Sequence, residues 1–184
     1  MIVIMSEDLS QLFVKSISRN LDSGEPLFHA GDPVLVMAMV NKGRIDLTRQ
    51  TAAGGTIVLQ RAGQGEVVSE ASAYSARYHC DARAGAASRV SLIPVPEFRR
   101  RLVADPALGD IWAAYLARSV QTTRLRAEIR SLRTVGERLG AWLGASGELP
   151  EKGRWQDLAE ELGITREALY RELARRRASR RVSS

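Results

Sequence analysis

Near the carboxyl end of this 184-residue chain, the stretch TREALYRELAR (165–175) carries groups suited to one kind of chemistry. At 3.6 residues per turn, Arg166, Glu167, Tyr170 and Arg171 fall on one side of a helix, with Arg175 a turn further on. Leu169 and Leu173 point the other way. An α-helix fits the major groove of DNA, where Arg holds guanine O6 and N7 and Glu accepts from cytosine N4. That is recognition chemistry: hydrogen bonds to base edges, with no bond made or broken. Thr165 is placed to cap the helix by accepting an orphan backbone N–H.

The elements that must position this face are legible in WQDLAEELGITREALYRELARRR (155–177). Two short helices are expected, joined at Gly163, which tolerates the positive φ of a helix end. Ala159 is small enough for the helices to approach closely. Leu158, Leu162, Ile164, Leu169 and Leu173 supply their contacts. This is a helix-turn-helix pattern, whose second helix reads base edges.

Other reactive residue types are sparse. The chain has two histidines, His29 and His79, and one cysteine, Cys80. No close-spaced His-x-His or associated carboxylate motif exists, so a metal-dependent jelly-roll enzyme is not expected and no metal is assigned. One cysteine excludes an internal disulfide and fits a reducing cytoplasm. No run of about 18 apolar residues is present, so no membrane partner is expected. The opening MIVIM lacks the basic start and apolar length of a signal peptide.

Charge is uneven. Residues 1–110 hold 12 Lys+Arg and 12 Asp+Glu, whereas residues 111–184 hold 15 and 9. The whole +6 excess lies in the second part, much of it in Arg175, Arg176, Arg177, Arg180 and Arg181. A neutral front and a basic back suggest a sensing module joined to a polyanion-binding one.

Between residues 25 and 96, short apolar runs alternate with turns at Ala30-Gly31-Asp32-Pro33, Asn41-Lys42-Gly43, Ala53-Gly54-Gly55 and Gly63-Gln64-Gly65. Strands are expected at 34–40, 44–49, 57–60, 66–68, 79–82 and 90–94, forming an antiparallel sandwich or jelly roll. Ser6 to Asn20 reads as an amphipathic helix through Leu9, Leu12, Phe13 and Ile17. Residues 96–105 read as a short helix. A long helix is expected from Ala107 to about Ala145. Its heptad positions include Leu108, Ile111, Tyr115, Thr122, Leu125, Ile129 and Leu132, a seam for a second copy. Trp112, Leu116 and Val120 lie on another face, suited to packing on the β-domain. Residues 145–153 read as a hinge.

The order of these pieces resembles the CRP/FNR transcription regulators (cyclic-AMP receptor protein and fumarate-nitrate regulator). The resemblance rests on LFHAGD (27–32), VNKGRIDLTR (40–49), LQRAGQGEVVSEAS (59–72), SLRTVGERLGAWL (131–143) and the Thr-Arg-Glu-x-x-x-Arg pattern at 165–171. It implies an α+β chain in three parts: a cyclic-nucleotide-binding-like antiparallel β-roll (1–106), a dimerisation helix (107–145) and an all-α helix-turn-helix domain with an Arg-rich tail (146–184). It implies a homodimeric, cytoplasmic, sequence-specific regulator reading a pseudo-palindrome in double-stranded DNA. Arg166, Glu167 and Arg171 would contact bases. Ile111, Tyr115, Thr122, Leu125, Ile129 and Leu132 would form the dimer interface. RNA polymerase is a candidate further partner. Family members continue past the recognition helix into a β-hairpin wing; here ASRRVSS follows, and its arginines are expected to contact phosphates instead.

The implied effector pocket is altered. Glu70 matches the ribose-binding Glu of nucleotide-binding members, but Ser69 replaces the preceding Gly. Cys80-Asp81 stands where an Arg-Ser pair holds the cyclic phosphate, so a carboxylate has replaced a cation and cyclic AMP is not expected. Arg77 or Arg83 could substitute from nearby. Thr123 matches a base-contacting position. The effector is unknown. His79-Cys80 keeps open a haem-binding or thiol-redox variant of the same regulator, and a β-roll adaptor acting through a protein partner is the rival reading.

Overall fold

In the computed structural model, residues 9–52 and 54–182 are described. They divide into two compact units, residues 1–116 and 117–184.

The first unit is built on eight strands: β1 Ile17–Leu21, β2 Pro26–Phe28, β3 Val36–Lys42, β4 Ile45–Gln50, β5 Thr56–Ala62, β6 Val67–Val68, β7 Asp81–Ala84 and β8 Ser88–Pro94. They form two four-stranded antiparallel sheets, in the orders β1-β8-β3-β6 and β2-β7-β4-β5. Val40, Val68 and Val90 from the first sheet meet Ile45, Leu47, Cys80, Ala82 and Ala84 around the second in one core. The stacked rings of Phe28 and Tyr78 close it.

β3 explains why its sequence, VMAMV, does not alternate. Ala38 and Val40 face that core. Met37 and Met39 face a second one, with Leu9, Leu12, Phe13, Phe98, Leu108 and Trp112. A strand covered on both sides reads as a continuous apolar run. The second core is roofed by α1 (Val95–Ala104) and the start of α2 (Pro106–Ser131). The expected turn at Gly43 is present. Its φ is +85°, and a Cβ there would lie 2.5 Å from the Ala87 carbonyl.

The second unit holds the end of α2, then α3 (Val135–Ser146), α4 (Trp155–Leu162) and α5 (Arg166–Val182). Ile129, Leu139, Trp155, Leu158, Ala159, Leu162, Leu169 and Leu173 form its core.

Several expectations are corrected. Of the helix expected over 6–20, Leu9 and Ser10 are helical, a short 3-10 turn at Gln11–Phe13 follows, and β1 takes the rest; residues 6–8 lie outside the described ones. Leu9, Leu12 and Phe13 are buried as expected, but Ile17 is 70% exposed and pairs with Leu92 in the sheet. The strand expected at 79–82 starts at Asp81.

The single helix expected over 107–145 is two helices. Thr134 begins the second with a capping box: its hydroxyl accepts from the Glu137 N–H, and Glu137 accepts from the Thr134 N–H. The heptad series also meets competition within the chain. Ile111 and Tyr115 pack with Leu108 and Trp112 in the first unit, and Ile129 is buried in the second. Thr122 and Leu125 are exposed, Leu132 is half-buried, and Val120, expected to pack on the β-domain, is exposed.

Candidate nucleic-acid interface and effector region

The expected helix pair is α4 and α5. Gly163 ends α4 in the left-handed region, with φ +64° and ψ +41°. Ala159 is fully buried at the crossing. The Ala168 N–H donates to Thr165 Oγ1 over 3.2 Å, the expected cap. Leu169 and Leu173 face the core, leaving Arg166, Glu167 and Arg171 exposed. Glu167's carboxyl is held below its ordinary value by backbone N–H of its own residue and by the Thr165 hydroxyl.

Two arginines secure the turn from below. The last carbonyls of a helix have no partner within it. Here Arg130 donates to the Glu160 and Glu161 carbonyls, and Arg138 to those of Leu162 and Gly163. Both are cations at the negative end of a helix dipole. Sequence reasoning missed them; the one available signal was a surplus of Arg at the end of α2 and start of α3.

Tyr170 is exposed beside Arg166 and engaged by it. Its hydroxyl accepts from Arg166 Nη2 at 3.2 Å, and the Arg166 guanidinium lies 5.3 Å from its ring centre. Arg175, expected to face DNA, turns back along its own helix. Its Nε and Nη2 each reach a Glu172 carboxylate oxygen at 2.8 Å.

In the first unit, the expected effector residues are only partly gathered. Ser69 keeps a left-handed backbone, φ +56° and ψ +48°, where glycine is the usual occupant. It is buried, and its hydroxyl shares a 2.7 Å hydrogen bond with Ser72. Glu70 follows it on a short 3-10 helix, also buried, accepting from Gln60 Nε2 at 3.5 Å. The Tyr115 hydroxyl accepts from the Val67 N–H nearby, and burial pushes its pKa above the ordinary tyrosine range.

Asp81 is engaged elsewhere: it accepts from the Ala30 N–H at 2.9 Å and lies 3.5 Å from His29 Nδ1. Arg77 donates to the Gly31 carbonyl, and Arg83 is exposed on β7. Cys80 is wholly buried, whereas His79 is exposed, so the two offer no shared ligand position for an iron. Burial pushes the Cys80 thiol up, toward the neutral form. Among the described residues no group of three or more His, Cys, Asp or Glu side chains is arranged to hold a metal ion. Thr123 is exposed on α2 in the second unit. An open cavity of about 310 Å³ lies among Asn20, Leu21, Asp22, Lys42, Ala87, Ser88 and Arg89, none of them an expected effector residue.

Against known proteins, the cyclic nucleotide-binding domain matches residues 18–105, which span the two sheets and α1. That match lies within the first unit. No curated protein matches the chain. Among solved structures it is similar to the c-di-GMP-responsive global regulator CLP of Xanthomonas campestris, at 20% identity and TM-score 0.71 over 95% of this chain and 92% of that one. FixK2 of Bradyrhizobium japonicum matches at 16% identity and TM-score 0.72, over 89% and 85%. The catabolite activator protein of Thermus thermophilus matches at 22% and 0.56, over 94% and 84%. The chain therefore has the α+β fold of the CRP/FNR transcription regulators. Cys80, where the resemblance puts the phosphate-binding arginine, is buried, and the Asp81 carboxylate that follows accepts from the Ala30 amide.

Proposed function

We propose that this chain is a sequence-specific transcription regulator that binds double-stranded DNA as a homodimer. One observation carries the reading: Arg166, Glu167 and Arg171 stand exposed on a helix capped by Thr165 and backed by buried Leu169 and Leu173. That helix is the second of a helix-turn-helix, whose N-terminal part enters the major groove. Two copies would read half-sites whose centres lie about 10–10.5 base pairs apart. The exposed middle of α2, including Thr122 and Leu125, supports pairing with a second copy. The β-domain would receive an input and bias the placement of the reading helices, and RNA polymerase is the further partner of an activator. No helix among the described residues is long and apolar enough to cross a membrane, in keeping with action in the cytoplasm.

Selection of duplexes from a random library tests this. The full chain should enrich a pseudo-palindrome, and Arg171→Ala should lose about 1–3 kcal/mol of discrimination at one base pair per half-site. No enrichment, or indifference to Arg171→Ala, would sink the reading and favour an adaptor acting through a protein partner.

A further inference from the structure

The recognition helix carries a buried carboxylate. Glu172 is 8% exposed, on the face of α5 turned toward α3. It accepts both Nε and Nη2 of Arg175 at 2.8 Å, and Nε of Arg176 at 2.8 Å. Arg176 then donates from Nη2 to the Gly136 carbonyl at 2.6 Å, in the first turn of α3. Gly136 makes room for this arrangement. A Cβ there would lie 3.2 Å from both Arg175 Nη2 and Glu172 Oε1, and one at Gly140 would lie 3.5 Å from Arg176 Nη2.

Charge-assisted, bidentate pairs of this kind hold their geometry better than neutral ones. Neither arginine can swing to a phosphate without weakening the pairing of a buried carboxylate, which is costly to leave uncompensated. The group also carries one net positive charge where two free arginines would carry two.

We infer that Glu172 sets specificity by tethering Arg175 and Arg176, withholding them from the DNA backbone. This rests on the DNA-reading function proposed above. Phosphate contacts add affinity for every sequence alike. A helix with fewer of them leaves more of its binding free energy to Arg166, Glu167 and Arg171, which differ from base to base.

The salt dependence of binding reads this out, because log K falls against log salt by ~0.9 for each phosphate contact. Full-length wild type, Glu172→Gln and Arg175→Ala would be titrated against a selected duplex and a mixed-sequence duplex. Arg175→Ala should leave the slope where it was, since that arginine is not a phosphate contact. Glu172→Gln should steepen the slope by ~0.9 per arginine released. It should bind mixed sequence several-fold more tightly and lower the ratio of selected to mixed affinity. A shallower slope in Arg175→Ala overturns the inference. So does Glu172→Gln with unchanged slope and ratio. If Glu172→Gln does not fold, judged by its far-ultraviolet circular dichroism, Arg175→Ala decides alone. Wild type that binds neither duplex removes the DNA reading itself; wild type that binds while the slopes go the wrong way removes only the role of Glu172.

Discussion

The ring of Tyr170 stands edge-on to the indole of Trp155, with 5.1 Å between centres and 63° between planes. Trp155 opens α4 and Tyr170 lies on the exposed side of α5, so this contact fixes how one helix is rolled against the other. The Tyr170 hydroxyl in turn receives Arg166. Tyr170→Phe keeps the edge contact and drops only that hydrogen bond. Its melting temperature should stay near wild type, while preference at the base read by Arg166 falls by about 1 kcal/mol. Equal losses at every base pair would count against it.

Trp155→Ala tests the support beneath. The indole is buried, and its N–H donates to the Pro150 carbonyl at 2.9 Å. Removing a buried aromatic side chain costs about 3–5 kcal/mol. Thermal unfolding followed by circular dichroism should show the helical second unit melting first, with DNA binding lost entirely.

Gly163→Ala should cost about 1 kcal/mol, because its φ of +64° disfavours a side chain. Space is not the cause: a Cβ would sit at an ordinary 3.6 Å from Arg130 and Arg138. A chemical-denaturation midpoint equal to wild type would contradict this.

Acid should weaken both units. Glu97 is held at about 2 by hydrogen bonds from Arg100 and Arg101, and Glu172 at about 2 by Arg175 and then Arg176. A carboxyl depressed in the folded state stabilises it fully above its ordinary value, 4.5 here, and the benefit goes as pH falls toward about 2. Melting temperature should therefore drop across that window. Glu172→Gln should lower stability at neutral pH and flatten the drop. An unchanged profile would show that the pair contributes nothing to folding.

Cys80 should resist iodoacetamide at mildly alkaline pH and react fully in urea. Its sulfur is inaccessible and burial favours the neutral thiol, which is the unreactive form. Rapid native alkylation, tracked by mass, would reopen a redox role.

The parts most legible in the sequence are those governed by local rules. Gly163, Thr165 and Ala159 each specify a helix end, a cap or a close crossing within a few residues, and α4 and α5 follow. Glycine turns likewise placed most strands. What went unread depends on distant partners. Leu9, Leu12 and Phe13 do face a core, but Ile17 completes the helical spacing by chance and belongs to a strand held by β8. Tyr115 and Ile129 fit a heptad, yet Val67 and Leu139 claim them. The break before Val135 was written in Thr134-x-x-Glu137, a local signal masked by the apolar periodicity running across it. Glu172 to Arg175 and Arg176 is a readable i,i+3 and i,i+4 spacing, but the anchor of Arg176 on Gly136 was not readable, because it lies on another helix.

At position 69 the backbone holds a left-handed kink without the residue that makes the kink easy, at a cost of about 1–2 kcal/mol. Glycine is thus not required for the shape of that loop. Neighbouring hydrogen bonds to Ser72 and the packing of Val67 and Val68 keep it. The scaffold can therefore carry a residue other than glycine at this bend, provided that residue supplies a bond of its own in return.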